Sequence, residues 1–381
     1  MSTSTAFPTS NAHSPQAPRT LYILRRMRGG FGGAEKVMER FAKSLDTRWR
    51  IHVVTAGAQV AGVRMGGVRG PNWWRAYQYA LHVNRLLENQ PNNLSFSMER
   101  GPKAYVYRAG DGVHRRWIEL RYGRSWRWRC NPWHWLAPRL ERQTLQSVAT
   151  IIANSNMVKQ DIARFYPAYM DKVEVIYNGF DARVFKPATV DKAALRQSLQ
   201  LPEAGRLLLF CGSGWERKGL HASLQFLAHA QRADATQPIH LVVVGKGKAH
   251  RYRHRLAELG VAPAVIFREP TREVVTYYQA ADTLILPTAY DPFANACLEA
   301  LACDCPVITT CWNGAAEVIQ QGRTGWVLNS VAPDALRALS EQWLTFKAEA
   351  GRVAASVQTY TQENEMAQLE RVLQRVERQC P

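Results

Sequence analysis

A chain of 381 residues exceeds what one hydrophobic core usually supports, and 46% hydrophobic content suits packed globular domains rather than a disordered or fibrous chain. A net charge of +18 and a pI near 9.9 point to an anionic ligand or surface. The seven cysteines (Cys130, Cys211, Cys297, Cys303, Cys305, Cys311 and Cys380) are scattered and form no metal-type pair of pairs, which argues for a reduced, cytosolic protein.

Residues 1–19 are rich in Ser, Thr, Pro and Ala and lack an apolar core, so a disordered tail is expected rather than a signal peptide. No run approaches the ~18 apolar residues of a membrane span. Any meeting with a membrane is expected at its surface.

Residues 20–185 read as a first domain. Leu21 to Leu24 suits a strand. Gly29, Gly30, Gly32 and Gly33 form a loop, and a helix starts near Ala34, with Val37, Met38, Phe41 and Leu45 at helical period. Glycines let a backbone approach a ligand closely, although such a turn is often only a turn. Further strands are expected at Ile51–Thr55, Ala104–Tyr107, Ala149–Ala153 and Val173–Ile176. Apolar strands alternating with helices argue for a doubly wound parallel sheet.

An insertion, residues 115–142, interrupts this alternation. Arg116, Arg121, Arg127 and Arg129 interleave there with Trp117, Trp126 and Trp128. Tryptophan favours the membrane–water interface and arginine pairs with phosphate, so a monotopic contact with an anionic membrane is the leading reading. Nucleic-acid binding uses the same residue types and ranks second. A solvated Arg-rich helix explains the charge but not the tryptophans.

Residues 186–358 read as a second domain. Arg206 to Cys211 is a strand, Gly212 to Gly219 a loop, and Leu220 to Ala230 a helix. Arg217 and Lys218 sit beside the positive helix end, which suits a diphosphate; an ordinary basic surface loop is the plain alternative. Thr283 to Glu317 then reads as strand, loop, helix, strand. Asp291 is expected as an N-cap, with Pro292 at the first helical position and the next strand at Cys305–Thr309. Asp291 and Glu299 on one helix would stand about 12 Å apart at ~1.5 Å per residue, too far to flank one bond and suited to opposite ends of a nucleotide sugar. On plain grounds they are a cap and a solvated helix residue. Residues 359–381 hold a polar helix, expected to cross back to the first domain.

The segments GGFGGAEKVMERFA, VIYNGFDARVF, CGSGWERKG, LVVVGKG, YYQAADTLILPTAYDPFANACLEALACDCPVITT and NGAAEVI, in this order, resemble glycosyltransferase family 4 over about Leu21 to Val376. The resemblance implies the GT-B fold, two Rossmann-like doubly wound domains facing across a cleft. It implies a UDP-sugar donor and no cofactor or metal. AYVYRAGDGVHRRWIE and the Arg-rich insertion resemble the lipopolysaccharide core glucosyltransferases. That implies a hexose, glucose first, passed to a lipopolysaccharide inner-core or other glycolipid acceptor by a peripheral enzyme on the cytoplasmic face of the inner membrane.

Residue by residue, the resemblance gives Lys218 the donor diphosphate, with Arg217 beside it. Glu299 takes the ribose as the second acid of the acid-x7-acid motif, and Asp291, the first acid, lies near the donor sugar. Phe293, Ala294 and Asn295 join the donor site. Gly32 and Gly33 face the diphosphate, and Asp111 lies beside the reacting centre. Asp291 stands where the family usually has Glu, Ala294 where it has Gly, and Ser213 where it has a cation. A non-transferring UDP-sugar epimerase and a basic nucleic-acid-binding protein are the other functional classes in view.

Overall fold

The computed structural model describes residues 19–26, 33–45, 48–60, 63–66, 69–90 and 93–379. Its strands in chain order are β1 (Thr20–Leu24), β2 (Arg50–Val54), β3 (Gln59–Val60), β4 (Val63–Arg64), β5 (Leu94–Ser97), β6 (Val106–Arg108), β7 (Thr150–Ala153) and β8 (Val173–Val175). These are followed by β9 (Arg206–Cys211), β10 (Ile239–Val244), β11 (Val265–Arg268), β12 (Thr283–Leu286), β13 (Val307–Thr310) and β14 (Gly325–Leu328). β3 and β4 form a small antiparallel hairpin. The rest form two parallel six-stranded sheets, ordered β2-β1-β5-β6-β7-β8 and β11-β10-β9-β12-β13-β14.

Both sheets are doubly wound. Their strands are near-continuous apolar runs, such as RLLLFC in β9 and TLIL in β12, because helices cover both faces. β5, LSFS, escapes the sequence reading since serines break its apolar run. It is buried all the same, and Ser95 Oγ accepts the Tyr105 N–H at 3.1 Å. In each sheet the chain reverses direction once, between β1 and β5 and between β9 and β12. The carboxyl ends of strands at such a switch point leave a crevice.

The C-terminal helix Gln362–Gln379 belongs to the first domain's core. Met366, Leu369, Leu373 and Val376, at helical period, pack with Leu21, Ile23, Phe41 and Phe96. The chain crosses between domains twice, and the crossings run side by side. The Phe180 N–H donates to Tyr360 O and the Gln362 N–H to Phe180 O. A Cβ on Gly179 would stand 2.3 Å from Thr361 O, so only glycine allows this approach.

Polar contacts join the two facing edges. Ser155 Oγ donates to Pro292 O at 2.8 Å, and Glu317 accepts the N–H groups of Asn156 and Met157 at 2.9 and 2.6 Å, capping a first-domain helix from the second domain. Tyr290 Oη donates to Asp161 Oδ2 at 3.0 Å and accepts the Val113 N–H at 3.1 Å. Burial pushes the Asp161 carboxyl up to about 6, against the opposing pull of the Tyr290 hydroxyl and Arg116.

That shift has a stability consequence with a definite sign. The folded protein holds the Asp161 proton more tightly than the unfolded chain, whose carboxyl keeps the ordinary value of 3.8. The stability this lends is full below 3.8 and is lost as pH rises through about 6. Asp161→Asn cannot ionise, so its Tm should rise relative to wild type between roughly pH 4 and pH 7. Paired thermal melts across that window check this, and a constant gap would contradict the burial argument.

Candidate active site

The two switch points face each other, and the cleft between them has a volume of about 840 Å³. The loop after β9 brings Gly212, Ser213, Arg217 and Lys218 to its second-domain wall, and the loop after β12 brings Asp291 to Ala294. The loop after β10 adds Lys246, a cation the sequence reading passed over.

Helix formation places Lys218. Gly219 has φ +85°, and a Cβ there would stand 2.1 Å from Pro287 O, so a glycine is required where the β9 loop turns into helix Leu220–Ala233 against the β12 loop. The two loops are tied further: the Ala289 N–H and Thr288 Oγ1 both donate to Arg217 O, at 2.8 and 3.0 Å. Lys218 and Arg217 therefore arrive together at the carboxyl end of the sheet.

Asp291 is not the helix cap expected from its position before proline. Helix Asn295–Ala302 starts four residues later, with Ala294 at the N-cap and no capping side chain. Asn313 Oδ1 accepts the Ala294 N–H instead, at 3.1 Å, and the Asp291 N–H donates to Trp312 O. The carboxylate turns to the cations: Lys218 Nζ and Arg217 Nη1 donate to Asp291 Oδ2 at 3.2 and 3.0 Å. Asp291 is 8% exposed, and burial alone would raise its pKa. Lys218, then Arg217, outweigh burial and hold it below the usual carboxylate range.

Glu299 lines the same wall, one helical stretch from Asn295 and Ala296, whose first-turn backbone also faces the cleft. Tyr278 Oη donates to Glu299 Oε2 at 2.9 Å. Phe293, Ala294 and Asn295 are all cleft residues. Asn295 Oδ1 accepts from Asn178 Nδ2 at 2.6 Å, across the domains. Gly33 opens helix Gly33–Leu45, whose Val37 reaches the cleft, while Gly32 lies outside the described residues.

The first-domain wall holds Asp111, 42% exposed, between Arg25 at 3.5 Å and Arg100 at 3.9 Å. Burial raises its pKa, but Arg25 and Arg100 together lower it, leaving a carboxylate at neutral pH. His114 stands nearby. Burial first, then Arg100 and His134, bring it down to about 3, so its imidazole is neutral. Arg100 and Asn154 were not singled out from sequence; Arg108 and His114 stood there only inside AYVYRAGDGVHRRWIE, and Asn178 and Asn313 only inside the NGF and NGAAE segments, all quoted for resemblance.

The Arg–Trp stretch does not form one face. Arg116 pairs with Asp161 at 3.5 Å and Glu119 at 3.3 Å, Trp117 lines the cleft, and Arg121 bridges to Glu216 of the second domain at 2.8 Å. Helix His114–Tyr122 turns ~100° per residue, so its side chains spread over several faces: Arg116 and Trp117 are half-buried, while Arg121 stays exposed at its bridge. The rest stay outward. Trp126 is 64% exposed, Arg127 and Arg129 are exposed, and Trp128 packs on Trp135 with ring centroids 5.2 Å apart. Among the described residues no group of three or more His, Cys, Asp or Glu is gathered as for a metal ion, and no helix is long and apolar enough to cross a membrane.

Comparison with known proteins agrees with this geometry. The family model for group 1 glycosyl transferases matches residues 191–357, and the model for glycosyltransferase family 4 matches residues 31–184. The D-inositol 3-phosphate glycosyltransferase of Corynebacterium urealyticum is 28% identical over 205 residues, 51% of this chain and 48% of that protein. D-inositol 3-phosphate glycosyltransferase 2 of Catenulispora acidiphila is 31% identical over 195 residues, 49% of this chain and 45% of that protein. The chain thus spans about half the length of the curated relatives it matches. Among solved structures, WaaG, a glycosyltransferase involved in lipopolysaccharide biosynthesis, superposes with TM-score 0.76 at 20% identity, covering 94% of this chain and 99% of that one. HepE of Anabaena, in complex with UDP and glucose, superposes with TM-score 0.69 at 17% identity, covering 93% and 99%. One family model thus falls on each domain, glycosyltransferase family 4 on the first and group 1 glycosyl transferases on the second, and the chain shares the GT-B fold with these structures.

Proposed function

We propose that this protein is a retaining hexosyltransferase that moves a hexose, glucose first among candidates, from a UDP-sugar to a lipopolysaccharide inner-core or related glycan acceptor. The observation that carries the reading is the convergence of Lys218 and Arg217 on one wall of a cleft whose opposite wall holds the ionised Asp111. Lys218, Arg217 and the first turn of helix Asn295–Ala302 would face the donor diphosphate. Glu299, fixed by Tyr278, would take the ribose.

The chemistry follows from where charge develops. As the sugar–phosphate bond lengthens, negative charge gathers on the leaving diphosphate, and these cations and N–H groups oppose it. The sugar gains oxocarbenium character. The acceptor hydroxyl attacks from the same face, and its proton passes to a diphosphate oxygen. Asp291 orients the two cations. Asp111 stabilises positive charge on the sugar and the incoming hydroxyl.

The acceptor has a second reading. The curated relatives are named for D-inositol 3-phosphate, a small phosphorylated acceptor. A panel of UDP- and GDP-sugars against extracted lipopolysaccharide core and against inositol phosphate, with products read by mass and anomeric configuration by NMR, separates the two. A UDP-hexose transferred to core with retained configuration is the expected result. Lys218→Ala should lower turnover roughly 10²–10³-fold, with a smaller loss of Tm from unpairing one side of Asp291. An inverted product, UDP release with no acceptor product, or near-native turnover in that variant would contradict the reading.

The membrane forms part of this proposal. Among the described residues, the exposed aromatic and leucine side chains Trp74, Tyr77, Leu81, Trp126 and Trp135 lie in the first domain, while the second domain exposes only the valines Val190 and Val331 among its large hydrophobics. Trp74, Tyr77 and Leu81 lie on helix Asn72–Glu88, which packs through Ala76 and Ala80 on Leu140 of helix Pro132–Ser147. With the exposed Arg127 and Arg129, these residues suit the interfacial zone of an anionic bilayer, which supports reading the enzyme as a peripheral protein on the cytoplasmic face of the inner membrane. Each arginine contributes about 1 kcal/mol there, screened by salt. Anionic vesicles should co-sediment the wild type strongly at low salt, and joint replacement of Trp126, Arg127, Trp128 and Arg129 should release it. Equal binding to neutral vesicles, or tighter binding to RNA, would count against this.

A further inference from the structure

We propose that Trp117, Trp133 and Asn154 form an acceptor subsite for an uncharged pyranose ring, one that takes the sugar by stacking and a hydroxyl hydrogen bond rather than by a phosphate. The proposal rests on the donor reading above and names what the facing wall of the same cleft would hold.

Three observations support it. Asn154 follows β7, lines the cleft, is 2% exposed, and its Oδ1 has no hydrogen-bond partner. A buried amide oxygen without a donor is rare, and here a ligand hydroxyl would supply one. Trp117 and Trp133 line the same cleft, both half-buried. Trp117 is one helical turn beyond His114 on the same helix, and Trp133 meets the His114 ring edge-on at 5.8 Å. That imidazole is itself held: His114 Nε2 and His134 Nδ1 are 2.9 Å apart, and His134 Nε2 lies 3.1 Å from Tyr122 Oη. The result is an apolar aromatic wall with a fixed backing and a polar acceptor, the composition that suits the C–H face and hydroxyl rim of a sugar.

The third observation sets the charge. The arginines of this wall are already neutralised. Arg25 pairs with Glu99 and Asp111, Arg100 with Glu141 and Asp111, and Arg108 with Glu365. Recruiting any of them for a phosphate would strip a largely buried carboxylate of its partner, which is costly. The unpaired group is a neutral amide, so a neutral ring is the better match.

The test uses the full chain saturated with UDP. Methyl α-D-glucopyranoside, methyl α-D-galactopyranoside and methyl α-D-mannopyranoside are compared with glucose 6-phosphate by saturation-transfer NMR, and UDP affinity is measured by calorimetry. Saturation should reach the ring C–H protons of at least one methyl pyranoside. The Trp117→Ala/Trp133→Ala pair should weaken that binding by at least about ten-fold, and the corresponding Phe pair, which keeps aromatic faces and guards against misfolding, by no more than about three-fold. Asn154→Leu should also weaken it, with UDP affinity within about two-fold of wild type throughout. A wild type that binds UDP but no methyl pyranoside overturns this proposal alone. So does tighter binding of glucose 6-phosphate, or pyranoside binding unchanged in the Ala pair. A wild type that does not bind UDP overturns the donor reading and this proposal with it.

Discussion

The buried Asp291 carboxylate between Lys218 and Arg217 is the contact on which the site depends. It joins loops from the two strands that flank the second sheet's switch point. Without it, two adjacent cations on one wall would lose their shared carboxylate, and Arg217 would keep only the Tyr290 carbonyl, to which its Nη1 donates at 2.8 Å. Removing one partner from a fully buried pair costs about 3–5 kcal/mol, and less is expected here because the Arg217 side chain is 38% exposed. A carboxylate one methylene shorter than the family's usual Glu still reaches both.

The neighbouring residue extends the same loop into the first domain. Tyr290 reaches Asp161 and the Val113 N–H, next to the Asp111 loop. Gly112 has φ +67°, and a Cβ there would stand 2.3 Å from Tyr290 Oη, so the fit admits only glycine. The Asp291 loop and the Asp111 loop are therefore positioned through adjacent residues of one segment. A change in the distance between the domains would move both at once.

Local patterns were legible in the sequence and long-range ones were not. β9 and β12 could be read from apolar runs, and the β9 loop with Arg217 and Lys218 from its glycines and its place before a helix. The Asp291 cap reading failed because capping preference is local, whereas this carboxylate answers to cations 73 and 74 residues away. The Arg–Trp stretch was read as one surface because composition has no direction. Folding then drew Arg116 and Trp117 inward and left Arg121, Trp126, Arg127 and Arg129 exposed. Arg100 gave no signal, and His114 none beyond its place in a segment quoted for resemblance, since their meaning lies in Glu141, Asp111 and His134, which only folding brings near.

The central claim is that the Lys218–Arg217 wall recognises a diphosphate. Calorimetry of wild-type protein with UDP and with UMP, at fixed salt, tests it most directly. Both nucleotides carry the same base and ribose, so any difference reports the second phosphate. Charge-assisted hydrogen bonds to that group are worth about 1.5–3 kcal/mol, so UDP should bind roughly ten-fold or more tightly than UMP, with the gap narrowing as salt rises. Equal affinity for UDP and UMP would contradict the account.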